Sequence, residues 1–169
     1  GMVRRATENA ARYGIRLDGL VQEISRLDVP AGSYDVVWLS RSMYSCVPTR
    51  ARRVEMVRRV ARALKPGGVF LLQFFWDPKA KRTRMSQRLH RLVAGLTFGN
   101  LAYEEGDMLW GNLEFIHAFA AEDAVRSELE EGGLPALWIR TERTSIRGGA
   151  VCRKGPDMRP GPHTGKEAG

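Results

Sequence analysis

Cysteine is nearly absent. Cys46 and Cys152 are the only two in 169 residues, far apart and in no motif. That excludes a disulfide framework, and with three scattered histidines it leaves no tetrahedral zinc pattern, so no metal is expected. No apolar run approaches the ~18 residues that a membrane-spanning helix needs. The N-terminus has arginines but neither an apolar stretch nor a small-residue cleavage site, so cytoplasm is the expected compartment. A glycine-rich GxGxG loop is missing as well. Lysine is scarce, at 5 against 22 arginines, yet the net charge is +8. A basic surplus points towards an anionic partner such as nucleic acid. Against that, arginine bias also follows from a GC-rich genome, and these arginines are spread over several segments and form no single tract.

What is present is periodicity. In "GMVRRATENAARYGI", Val3, Ala6 and Ala10 recur at helical spacing with Arg4, Arg5 and Glu8 opposite, and Gly14 stops the helix. No capping Ser, Thr, Asp or Asn precedes it. "IRLDGLVQEI" predicts a strand near 19–22, and "VPAGSYD" is turn chemistry. "YDVVWLS" (34–40) is a consecutive apolar run, which predicts a central strand covered on both faces. Thr49 caps a helix over 50–64. Its Val54, Val57, Val60, Ala61 and Leu64 share one face, leaving Arg50, Arg52, Arg53, Arg58, Arg59 and Arg62 mostly for solvent. "LKPGG" ends that helix in a tight turn, and "VFLLQFF" (69–75) is a second doubly buried strand. Strand, helix and strand make a βαβ unit, hence an α/β fold with a parallel sheet.

Further on, 79–96 reads as a basic helix, and the irregular stretch after it gives a lid or acceptor-side insertion over 79–112. "LEFIHAF" (113–119) is strand-like or loop. A helix ends at Gly132-Gly133, and two strands close the ordered part. Residues 155–169, rich in Pro and Gly and almost without apolar side chains, are expected to be disordered.

"GSYDVVWLS", the amphipathic helix and "ALKPGGVFLL" together resemble the central block of class I S-adenosylmethionine-dependent methyltransferases, of the type 11-like kind. "EI" at Glu23-Ile24 stands 12 positions before Asp35, Pro66 to Gly68 open the later strand, and "FIHAFAAEDAVRSELEEGGL" is similar to the family's late helix. The resemblance covers roughly residues 2–153. It implies a Rossmann-like, mostly parallel sheet with an antiparallel terminal strand, and S-adenosylmethionine as cofactor. It also implies that 1–154 is a partial domain, N-terminally truncated, because the glycine-rich loop and the acid after the second strand have no counterpart here. The first two strands would then be absent, leaving an apolar sheet edge open to self-association.

Residue by residue, the resemblance makes Glu23 the acceptor for the adenine amino group and the Ile24 N–H the donor to a ring nitrogen. Ser40 and Arg41 would lie beside the methionine part of the cofactor. Met43 and Tyr44 would wall the transfer pocket or serve ordinary helix–sheet packing. Trp76, Trp110 and Tyr103 would shape the acceptor pocket or belong to the core. Asp35 reads as structural. His117 is the candidate base by type, since imidazole ordinarily titrates near neutrality, or it is simply a packed histidine. The function implied is methyl transfer to a small-molecule acceptor, by a chain inactive on its own. The alternative is a catalytically inactive methyltransferase-like binding module that uses its basic surface on nucleic acid or acidic protein.

Overall fold

The computed structural model describes residues 1–79, 104–110, 114–142 and 145–156. The helix expected over 79–96, Tyr103, most of the 79–112 lid and most of the 155–169 tail lie outside those residues. The parallel pair at the centre is β1 (Tyr34–Leu39) beside β2 (Leu64–Phe75), in the register Val36↔Val69 to Leu39↔Leu72. Helix α2 (Arg50–Ala63) makes the crossover between them. Thr49 caps it as expected, accepting the Arg52 N–H at 3.4 Å. The Pro66–Gly68 turn lies within the first part of β2. Gly67 takes φ +76°, a conformation that a Cβ disfavours. The Asp35 carboxylate accepts from Lys65 Nζ at 2.8 Å across the strand pair.

Strands β5 (Ala136–Arg140) and β6 (Arg147–Arg153) are the terminal pair, and β6 runs antiparallel to β2. The sheet order is β1-β2-β6-β5. A separate hairpin, β3 (Asp107–Trp110) with β4 (Glu114–His117), joins the end of β2 through a bridge between Trp76 and Phe119. Within "LEFIHAF", Glu114–His117 is therefore a strand, followed by a bridge at Phe119. Helix α3 (Glu122–Glu131) ends at Gly132-Gly133 as its sequence predicts.

The core lies on one side of the sheet. Val57 and Val60 of α2 and Val125 and Leu129 of α3 close over Phe70, Leu72 and Phe74 of β2. The expectation that β1 and β2 are covered on both faces does not hold. Trp38 is 69% exposed, and Val69 and Leu71 of β2 are only half-buried. The reason is that α2 and α3 both pack on the same face, and no described element covers the other. Helix α1 (Met2–Arg12) forms as predicted but buries no residue.

The strand expected near 19–22 is not formed. Leu20 and Val21 are exposed and in no ladder. A strand requires a neighbour to take its backbone hydrogen bonds, and none of the described strands pairs with it.

Candidate active site

In an open α/β sheet, ligands bind beyond the carboxyl ends of the parallel strands. Here β1 ends in a fixed turn. Arg41 and Ser42 both have positive φ, at 54° and 58°, which non-glycine residues adopt only at a cost of about 1–3 kcal/mol each. Their surroundings hold them there. The Arg41 N–H donates to Gln73 Oε1 on β2 at 2.8 Å, and the Phe75 N–H donates to Ser45 Oγ at 2.8 Å. Ser40 and Arg41 thus stand at the strand end where the sequence places them.

Glu23 precedes, and Ile24 opens, a short 3-10 turn, Ile24–Arg26, that packs against α2. Ser25 Oγ donates to Glu23 Oε1. That hydrogen bond, with Arg26 and Arg52 acting against the effect of burial, holds the Glu23 carboxyl below its usual range. The Ile24 N–H has no partner among the described residues. An ionised acceptor next to a free donor suits the edge of an adenine ring, which presents an amino group beside a ring nitrogen.

A second cluster surrounds a cavity of about 390 Å³ between the start of α2, residues 104–106, the segment 117–121 and α3. At its back lies Arg53, 1% exposed. Its guanidinium donates to both Glu128 oxygens, at 2.8 and 2.9 Å, and to Glu104 Oε2 at 3.0 Å. Burial pulls the Arg53 pKa down, but the Glu128 and Glu104 carboxylates reverse this and raise it. Tyr44 donates its hydroxyl to Glu128 Oε2 at 2.8 Å, and burial, with that carboxylate, pushes the phenol well above its usual range.

Nearby, His117 Nδ1 lies 2.8 Å from Asp107 Oδ1, both side chains being buried. The Glu104 N–H donates to Asp107 Oδ2 at 2.8 Å. The turn at Gly106 makes this approach possible. Its φ is +97°, and a Cβ there would sit 2.3 Å from the Ala118 carbonyl oxygen. Glu104, Asp107 and His117 place ligand atoms within 4.8 Å of one another, a spacing that a cation could use. The Arg53 guanidinium on Glu104 already supplies that positive charge, so these residues do not suit a metal.

The site residues read from the sequence are therefore split. His117 lines the cavity. Tyr44 does not wall a pocket: it is fully buried, with its hydroxyl committed to Glu128. Trp76 belongs to the core, and Met43 is exposed. Trp110 ends β3 opposite Glu114, its side chain lying outside what the structure describes.

Arg53 corrects the expectation of an all-solvent arginine face. It stands three, four and seven positions before Met56, Val57 and Val60, which is the spacing of the buried face, so its position was readable. Glu128 sits between the buried Val125 and Leu129 in the same way. Asp107 gave no such signal, because only the β3–β4 pairing Asp107↔His117 brings it to the histidine.

Residues 1–68 match the family model of a methyltransferase domain. No curated protein matches the sequence. Among solved structures, a Clostridium acetobutylicum S-adenosylmethionine-dependent methyltransferase is similar at TM-score 0.65 and 15% identity, over 91% of this chain and 71% of that one. A Burkholderia thailandensis 1,6-didemethyltoxoflavin-N1-methyltransferase, with S-adenosylhomocysteine bound, is similar at TM-score 0.58 and 14% identity, over 89% and 56%. A possible exported protein of Bordetella parapertussis matches at TM-score 0.55 and 25% identity, over 89% and 48%. The chain thus spans about half the length of the last and up to 71% of the others. Its fold is that of the class I S-adenosylmethionine-dependent methyltransferases. The segment matched by the family model runs from α1 through β1 and α2 to the Pro66–Gly68 turn.

Proposed function

We propose that this chain takes part in S-adenosylmethionine-dependent methyl transfer to a small-molecule acceptor, and that it contributes the adenine edge and the acceptor side of the site. The observation that carries this reading is the ionised Glu23 beside the free Ile24 N–H, in a chain with this fold. The bound cofactor would supply an electrophilic methyl group. The protein's part is to hold the acceptor in line, which alone lowers a barrier substantially. Glu23 and Ile24 grip the base, and the Ser40-Arg41 turn, fixed by Gln73, lies towards the reacting end. The toxoflavin enzyme's small acceptor favours the same substrate class. Two cysteines outside any disulfide fit a reducing compartment, which we take to be the cytoplasm. No described helix is long and apolar enough to cross a membrane.

The reading as a binding module on nucleic acid is less well supported. The six arginines of α2 all have carboxylate partners, among them Glu131 for Arg50, Glu23 for Arg52 and Asp28 for Arg62. Such paired charges leave little for phosphates. Self-association through the outer edge of β1, unpaired among the described residues, belongs to the same proposal.

Calorimetry with S-adenosylhomocysteine tests the assignment. The chain alone should bind weakly or not at all, and the chain extended by a strand with a glycine-rich loop should bind. In the extended chain Glu23→Ala should weaken binding about tenfold, the loss of one hydrogen bond to a charged group. A folded, extended chain that gives no heat would sink the proposal.

A further inference from the structure

We propose that His117 and Asp107 form a proton-accepting dyad in the wall of the 390 Å³ cavity, serving an acceptor that reacts through an O–H or N–H group. This deepens the methyltransferase reading and rests on it. Asp107, as a carboxylate, can only accept, so His117 Nδ1 must donate across their 2.8 Å contact. That fixes the neutral ring with its proton on Nδ1 and a bare lone pair on Nε2. His117 is 6% exposed and lines the cavity, whereas Asp107 is not among the lining residues. Nε2 has no partner among the described residues. A buried lone pair without a donor is costly unless a ligand supplies one.

The dyad is held from behind. Asp107 Oδ2 accepts the Glu104 N–H, Glu104 accepts from Arg53, and Arg53 is clamped by Glu128. Asp107, Glu104 and Arg53 are positioning residues, tying the β3–β4 hairpin to α2 and α3. The cavity suits a small molecule, and its wall mixes Phe119, Ala120 and Ala124 with polar Ser127 and His117.

The proton balance is simple. As the acceptor heteroatom forms its bond to the methyl carbon, the methyl–sulfur bond breaks with its electron pair left on sulfur. The acceptor's proton passes to Nε2 of His117. The resulting imidazolium is stabilised by Asp107 and gives its proton to solvent. With Asp107 fixing the tautomer, this is the orienting role that a carboxylate plays behind a histidine base.

The test reads the ring before any turnover. Nitrogen–proton NMR of the full chain carrying ¹⁵N-histidine, in mildly alkaline buffer, contains three imidazoles, and His117→Gln identifies one of them. His117 should show a protonated Nδ1 and a bare Nε2, and Asp107→Asn should move the proton to Nε2. The protic probe p-cresol should shift the Nε2 signal, and toluene, of like size, should not. A wild-type ring protonated on Nε2, or equal responses to the two probes, would overturn the dyad. Should Asp107→Asn fail to fold, the wild-type tautomer and the probe pair decide alone. If the NMR results hold but the extended chain does not bind S-adenosylhomocysteine, the methyltransferase reading fails and the dyad stands. Binding without the NMR signature gives the reverse.

Discussion

Arg53 keeps a full charge inside the protein because two carboxylates surround it. Removing one partner from a buried ion pair leaves the other desolvated and uncompensated, at a cost of about 3–5 kcal/mol. Glu128→Ala should therefore lower the free energy of unfolding by about that amount, read by urea denaturation. It also leaves the Tyr44 hydroxyl, donated at 2.8 Å, without its acceptor. Replacing both members of the pair with apolar residues, as in R53M/E128L, should restore much of the loss. A Glu128→Ala chain as stable as wild type would show that the pair is held only loosely. Cys152 gives a second check. Burial pushes its thiol from the usual 9 up to about 12. Between those values the unfolded chain sheds the proton and the folded chain keeps it, so this group's contribution to stability falls as pH rises from about 9 to about 12. At pH near 8, a thiol reagent should label exposed Cys46 and spare Cys152 until denaturant is added.

The elements differ in how far their sequences reveal them. Val54, Val57 and Val60 at helical spacing make α2 readable, and Val125 with Leu129 does the same for α3, because each helix buries a stripe that its own sequence repeats. The same spacing holds Arg53 and Glu128, so the back of the site was legible once charged residues were allowed on the inner face. The β3–β4 hairpin was not. Its short strands carry little pattern, and its value to the site comes from a cross-strand pairing, Asp107↔His117. The segment 19–22 failed in the other direction: Leu20 and Val21 have strand composition, but composition supplies no partner. A prediction at this scale concerns Gly106. With φ at +97° and the Ala118 carbonyl 2.3 Å from any Cβ, Gly106→Ala must push the turn away from β4. The hydrogen bond from the Ala118 N–H to Gly106 O, 2.8 Å long, should be lost with it. The variant should melt lower, with a loss of about 1–3 kcal/mol from backbone strain. Fast hydrogen exchange should appear at the Ala118 amide while α2 stays protected.

For the molecule as a whole, the two faces of the sheet are unequal. On the open face, register places Trp38, Leu71, Val151 and Trp138 in one row across all four strands. Trp38 and Trp138 remain 69% and 49% exposed. A row of large apolar side chains with a free strand edge beside it invites association, since burying it removes apolar surface from water. Charges at the strand ends, Arg147 and Arg153 of β6 and Arg140 of β5, flank the row. Sedimentation of the chain should therefore show association that grows with concentration. Added salt should strengthen it, because screening weakens repulsion between copies carrying +8 each. Trp38→Lys puts a charge at one end of the row, beside the free edge of β1, without touching the core, because the side chain is 69% exposed. It should leave the melting temperature nearly unchanged and shift the chain towards monomer. Acrylamide should quench roughly half or more of the fluorescence from Trp38 and Trp138 while sparing Trp76, which is 8% exposed. If Trp38→Lys instead lowers stability and leaves association unchanged, then Trp38 is covered in solution and copies meet through a different surface.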